Sequence, residues 1–364
     1  MQVPNFGVRT ARVVLKKTGV DHAEDLFSLN VNDLLKIHGI GKERAVSLTQ
    51  FDDWKKVDKI LEKTEKSGAQ LLSLSDPAYP MMLKQTFDPP IILWVKGDPA
   101  ALSKPGIAVV GTRNPGRYGM YQAENWSHDI CKAGLQVNSG LAYGVDSTAH
   151  KTAVKSGGST VAVLGSGIDR IYPNRNIRLA AEIIEKGGAV VTEYPPGTKP
   201  DAVNFPERNR IVSGMSYGTL VVESGVKGGS MITARLALDQ NREVFVVPHP
   251  LGYLKGEGCN YLIRTGQGKL VQTMDDLLEE LSVQTENGAG TAAETVVTSK
   301  KWETAEDLSE REVELCKSLS EKSLHIDHLA DKMETEPFKL SAILLELEMK
   351  GLIKQKAGKY FELT

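Results

Sequence analysis

Thr160-Val161-Ala162-Val163-Leu164-Gly165-Ser166-Gly167-Ile168-Asp169-Arg170 is the stretch that decides the fold. An unbroken β-branched and aliphatic run of this length suits a strand buried on both faces, and it runs straight into glycine and small polar residues. The pattern recurs. Ile107–Val110, Leu135–Val137, Ala189–Thr192, Thr219–Val222, Glu243–Val247 and Lys269–Val271 are further short runs separated by helical stretches. Strands that read as continuous rather than alternating, with a helix between each pair, predict a parallel sheet covered on both sides. The expected core is therefore an α/β Rossmann-like three-layer domain with a mainly parallel sheet.

Working outward, residues 1–66 carry a helical pattern, with a two-glycine turn at Gly39-Ile40-Gly41 between two helices, as in a helix-hairpin-helix or SAM-like unit. Such a turn offers backbone N–H groups to a phosphate, and it equally serves to join two packed helices. Residues 67–282 form the Rossmann-like domain. Its lead-in, 67–105, is broken by Asp76-Pro77, Asp88-Pro89-Pro90 and Asp98-Pro99 into short extended pieces. Residues 283–303 are rich in Gly, Ala, Thr and Ser without a usable period and read as a flexible linker. Residues 304–364 offer helices near Glu310–Leu319, Ile326–Met333 and Pro337–Met349, then two strands around Ala357-Gly358, which predicts a winged helix.

Composition narrows the class. The chain has 364 residues, 41% apolar and 25% charged, with a formal charge of −2, so a polyanion-binding surface must come from local clustering of cations. Cys131, Cys259 and Cys316 are far apart and odd in number, against a disulfide framework or zinc site. No apolar leader or membrane span stands out, so a cytoplasmic location is expected.

The strand ends carry the chemistry. Gly111-Thr112-Arg113, Ser139-Gly140, Gly165-Ser166-Gly167 and Glu223-Ser224 through Gly228-Gly229-Ser230 each follow a strand and precede a helix. In an open α/β sheet these carboxyl ends share one crevice, and helix N-termini with glycines suit an anion. No GxxxxGK[ST] occurs, and Arg170 stands where a third glycine would complete GxGxxG, so neither a nucleotide cofactor nor a metal is expected. Arg113, Arg117, Arg170, Arg175, Arg178, Arg208, Arg210 and Lys227 surround these loops, and Asn209 lies among them. Cations at several loops suit a line of phosphates, and Tyr118, Tyr143, Tyr172 and Phe205 are candidates to stack bases. Together they predict single-stranded nucleic acid as the ligand.

In order, Gly111-Thr112-Arg113, Ser139-Gly140-Leu141-Ala142-Tyr143-Gly144-Val145-Asp146, Gly165-Ser166-Gly167-Ile168-Asp169, Phe205-Pro206-Glu207-Arg208-Asn209-Arg210 and Gly258-Cys259-Asn260-Tyr261-Leu262-Ile263 resemble the successive signatures of the DprA/Smf family. The resemblance covers the middle domain. It implies a pocket for single-stranded DNA bound without strong sequence preference, protection of that DNA, and loading of a RecA-type recombinase in natural transformation and recombination. It also implies a homodimer, with a single-strand-binding protein as a further partner and no catalytic residue. Its arginines fall on Arg113, Arg208 and Arg210. The chain departs from the family at Val247-Pro248-His249-Pro250 and Gly266-Gln267-Gly268, which leaves those loop shapes open.

A competing reading is a nucleotide-processing enzyme resembling the lonely-guy phosphoribohydrolases, with Glu223 acting on a ribose. Against it, Glu223 is expected to pair with Arg208 or Arg210. Asp146-Ser147-Thr148 is expected to cap the helix bearing His150, not to join it in catalysis. The third helix of the C-terminal domain carries Glu346 and Glu348, poor for a phosphate-lined groove, so that domain is expected to pack on its own chain or on a protein.

Overall fold

The computed structural model describes residues 2–281 and 308–363, apart from 8–9, 12, 15–16, 18–22, 321–322, 334 and 357–358. The linker assigned to 283–303 and the turn at Ala357-Gly358 lie outside the described residues.

A nine-stranded sheet forms the centre, in the order β1-β2-β6-β5-β4-β3-β7-β8-β9. Its strands are β1 (Gln70–Ser73), β2 (Ile92–Gly97), β3 (Gly106–Val110), β4 (Gln136–Ser139), β5 (Thr160–Val163), β6 (Ala189–Thr192), β7 (Gly218–Val221), β8 (Glu243–Val246) and β9 (Lys269–Leu270). From β3 onward every pairing is parallel, as the apolar runs predict. The lead-in is more than a connector. Its β1 and β2 pair antiparallel and extend the sheet beyond β6.

Alternation within each run divides the core. Ile107 and Val109 face one layer, with Trp126 and Ile130 of α5 (Arg117–Lys132), Ala149 and Ala153 of α6 (Val145–Lys155), and Leu277 and Leu281 of α11 (Met274–Leu281). Ala108 and Val110 face the other, with Ile211 and Val212 of α8 (Asn204–Gly214), Ala234 and Ala237 of α9 (Gly229–Asp239), and Leu262 of α10 (Glu257–Arg264). Ile183 of α7 (Ile177–Glu185) packs with Ala162 and Val190 at the β6 side. Both faces of β3, β5 and β6 are thus buried, which is why their runs are largely apolar, whereas β4 alternates the buried Gln136 and Asn138, bonded to each other, with Val137.

The chain winds outward from β3 through β4, β5 and β6, then returns to add β7, β8 and β9 on the other side. The order of winding reverses between β3 and β7. Open α/β sheets form their ligand crevice at such a point.

Three further helices in the N-terminal part are α1 (Val31–Leu35), α2 (Lys42–Thr49) and α3 (Trp54–Ser67); Gly39, at φ +91°, makes the turn between the first two. Leu34, Ala45 and Leu48 bury a small separate core. A short helix, α4 (Met81–Lys84), follows β1.

The C-terminal part is a winged helix: α12 (Glu310–Leu319), β10 (Leu324–His325), α13 (Ile326–Lys332), α14 (Pro337–Met349), β11 (Ile353–Lys356) and β12 (Tyr360–Leu363), with a β10-β12-β11 sheet. It docks on the central domain. Lys359 Nζ donates to Asn241 Oδ1 at 2.5 Å, and the Gln85 amide lies 3.1 Å from the His328 ring. Buried Arg242 donates to Met82 O and faces Asp327 and Tyr360.

Candidate nucleic-acid interface

A crevice of about 720 Å³ opens at the switch between β3 and β7. Of the residues expected there, Gly111, Thr112, Arg113, Gly140, Arg208, Asn209, Gly229 and Ser230 line it together. Sequence order alone did not place Asp146 on its wall, where it also lies.

Floor and rim differ. Arg208, on α8, is 4% exposed. Its guanidinium donates to Gly140 O and Val163 O, and its Nε donates to Asn209 Oδ1 at 3.2 Å. Gly140 is required for this approach, because a Cβ there would lie 2.5 Å from the Arg208 guanidinium. Asp146 accepts from the backbone N–H groups of Gly140 and Ala142 at 3.2 and 3.4 Å. Burial pushes the Asp146 carboxyl up and brings Arg208 down to about 10, each opposed by the other's charge. Arg208 and Asp146 thus hold the Gly140 loop, one by its carbonyl and the other by its N–H groups. Arg208 lines the crevice, and three of its five N–H donors go to the two carbonyls and the amide oxygen, while no hydrogen bond of its Nη2 is found among the described residues.

The rim is open. Arg113 is exposed, makes no ion pair among the described residues, and holds its guanidinium 5.5 Å from the centroid of the Phe205 ring. Phe205 in turn lies 5.5 Å from Tyr172, their planes tilted by 36°. Tyr143 borders the same corner. Gly165 lets Phe205 settle, since a Cβ there would meet the ring at 2.9 Å. A cation stacked on an aromatic pair at the mouth of a glycine-lined crevice offers phosphate pairing and base stacking side by side.

Several expected residues lie elsewhere. Arg210 does not line the crevice; it is tied to the Glu193 carboxylate, to Asp88 O at 2.7 Å and to the Asp88 carboxylate at 3.6 Å. Arg170 sits 3.8 Å from Asp169, whose carboxylate accepts from Gly197 N at 2.7 Å. Arg117, Arg175, Arg178 and Lys227 are exposed but outside the lining. Ser139 is buried with its hydroxyl donating to Val109 O, and Gly167 is buried beside Pro195.

Glu223 is fully buried and pairs with neither Arg208 nor Arg210, contrary to expectation. Its carboxylate accepts from Gly116 N at 2.9 Å and from the Tyr253 hydroxyl at 3.4 Å, away from the crevice lining. The divergent loop after β8 explains part of this. His249 Nε2 donates to Val222 O at 2.8 Å, and its ring stands edge-on to Tyr118 and stacked with Tyr253. The cap expected from Asp146 is also different: Gly144 is the N-cap of α6, and the Ser147 and Thr148 hydroxyls donate back to its carbonyl. His150 is buried with Nδ1 2.7 Å from Thr160 Oγ1, and burial and the Arg208 charge hold it down to about 3. Near neutrality it is uncharged.

Among the described residues no helix is long and apolar enough to cross a membrane, and no group of three or more His, Cys, Asp or Glu is placed to hold a metal ion.

Comparison with known proteins agrees with the residues. The family model for DNA recombination-mediator protein A matches residues 70–282, and the DprA winged helix model matches 299–359. Protein Smf of Escherichia coli is 37% identical over 98% of this chain and 91% of its own length. DNA processing protein DprA of Bacillus subtilis is 40% identical over 62% of this chain and 76% of its own. Among solved structures, DprA from Streptococcus pneumoniae matches with TM-score 0.66 and 31% identity, over 78% of this chain and 95% of that one. DprA from Helicobacter pylori, a structure described for its single-stranded DNA binding mode, matches with TM-score 0.53 and 29% identity, over 59% of this chain and 97% of that one. The chain belongs to the DprA/Smf family of DNA recombination-mediator proteins.

Proposed function

We propose that this protein binds single-stranded DNA in the crevice between β3 and β7, without strong sequence preference, and hands it to a RecA-type recombinase. The observation that carries the reading is the Arg113–Phe205–Tyr172 platform at the crevice mouth, with Arg113 and Tyr172 exposed and Phe205 half-buried between them. Arg113 pairs a phosphate while a neighbouring base stacks on Phe205 or Tyr172, and N–H groups of the glycine loops meet the next phosphate. Duplex DNA buries its base faces in its own stack, so a stacking platform favours the single strand. The family's description as a recombination mediator and the single-strand binding of the Helicobacter pylori relative support the same reading. A homodimer and a single-strand-binding protein as further partner accompany the proposal, and protection of incoming DNA follows from occupancy of the strand.

No covalent step is assigned. Glu223, the group an enzymatic reading needs, is buried behind Gly116 and Tyr253 rather than aimed at the crevice. The test compares a labelled single-stranded oligonucleotide, the same strand carrying abasic positions, and its duplex. Tight binding of the intact strand with weaker binding of the other two is expected. Equal binding of intact and abasic strands would remove the stacking role, and turnover of nucleoside monophosphates would revive the enzyme.

A further inference from the structure

Helix α14 is apolar on two sides. Leu340, Leu344 and Leu347 are at most 1% exposed and fill the winged-helix core, whereas Phe338, Leu345 and Met349 are 70%, 58% and 83% exposed. Ala342, also exposed, completes the outer stripe. A helix with an apolar stripe on each of two sides normally has both covered, and among the described residues the outer stripe has no covering element. The domain docks through α13 and the Lys359 end of β12, which leaves α14 on the outside.

The spacing of the stripe says what kind of neighbour fits. Residues 338, 342, 345 and 349 are separated by four, three and four, the alternation of a coiled-coil seam, so the complementary surface is another helix. This pattern reads the same in both directions. Laid antiparallel on a second copy, Phe338 meets Met349, and the small Ala342 receives the larger Leu345. Beside the seam, Lys339 of each copy then comes next to Glu346 of the other. Their present partners, Glu336 at 3.5 Å and Lys350 at 3.9 Å, are surface pairs that exchange at little cost.

We propose that two copies of this protein pair antiparallel through the outer faces of their α14 helices. The winged helix is thereby a self-association module, independent of the crevice and of what the crevice binds. A 13-residue helix is only about 20 Å long, so the contact is weak by itself and gains strength when two copies are already held near each other.

Full-length chains in a Cys131→Ser background, carrying either Phe338→Cys or Met349→Cys, test the pairing under mild oxidation. Antiparallel packing brings position 338 against 349 but leaves like positions roughly 16 Å apart along the axis. Disulfide-linked dimers are therefore expected in the mixture of the two variants and not in either alone. Cross-linking within a single variant would mean parallel packing and overturn the proposal, as would no cross-linking in the mixture. A second measurement spares the seam: Lys339→Glu is expected to weaken self-association in sedimentation, and adding Glu346→Lys to restore it. No change in either would overturn the pairing.

Discussion

The floor and the rim of the crevice use the same residue type for different ends. Arg208 is buried against carbonyls and an acid, and Arg113 stands exposed over an aromatic ring. A buried guanidinium stripped of water is held by fixed acceptors and lends rigidity to the loop it touches. An exposed one keeps its donors for a ligand. Within one crevice, then, an arginine's exposure and partners decide how much of its hydrogen-bonding capacity is spent on the fold and how much is left open.

The largest expected effect separates the two directly. Arg208→Met leaves Gly140 O, Val163 O and the Asp146 charge without their partner, and should cost about 3–5 kcal/mol of stability. Arg113→Ala should change stability by less than about 0.5 kcal/mol. Thermal or urea unfolding of both variants checks this, and similar losses would erase the distinction between floor and rim.

Phe205→Ala sharpens the rim. It should weaken single-strand binding by about 1–3 kcal/mol while Phe205→Tyr retains most of it, measured by fluorescence anisotropy. Unchanged affinity in Phe205→Ala would move the stacking surface elsewhere.

A smaller effect reports on the floor through pH. His150 is held down to about 3 when folded, so between roughly 6.5 and 3 the unfolded chain takes up a proton the folded one refuses. Its contribution is fully present above pH 6.5 and is lost as pH falls. The slope is at most about 1.4 kcal/mol per pH unit from this group, and His150→Gln should flatten it between pH 6.5 and 5. Asp146, pushed up by burial, acts with opposite sign as pH rises above its ordinary range near 4. An unflattened slope in unfolding titrations would mean that His150 titrates normally.

The smallest change is expected from the far side of the molecule. Ending the chain after Leu281 should leave single-strand affinity within about threefold, because Lys359 of the wing is engaged by Asn241 and α14 presents apolar residues. A loss of tenfold or more would make the winged helix part of the DNA site.

Much of this frame was legible in the chain, and the reason is physical. Parallel strands buried on both faces leave apolar runs, so most of β3 to β8 and the crevice at their ends could be read directly. Membership of β1 and β2 in the sheet could not, because extended pieces set between prolines look like any connector, even where, as in β2, both edges are paired. Arg208 and Arg210 are two letters apart in one helix, and nothing local tells which turns inward; packing against Gly140 and pairing with Glu193 decide it. The platform was half visible, as Arg113, Tyr172 and Phe205 were each singled out, yet only tertiary structure stacks them. The outer stripe of α14 is hidden in its sequence, because Leu340, Leu344 and Leu347 fill the core and only packing shows that Phe338, Leu345 and Met349 are left outside.

The most direct test of the DNA site is a salt titration of single-strand binding for wild type, Arg113→Ala and Arg210→Ala, each shown to be folded. Arg113→Ala should lose about 1–2 kcal/mol on all sequences alike and lower the logarithmic salt slope by about 0.7, the share of one phosphate contact. Arg210→Ala, if folded, should keep the wild-type slope because its charge is spent on Glu193. A wild-type slope and affinity in Arg113→Ala would contradict the crevice as the site where the strand is held.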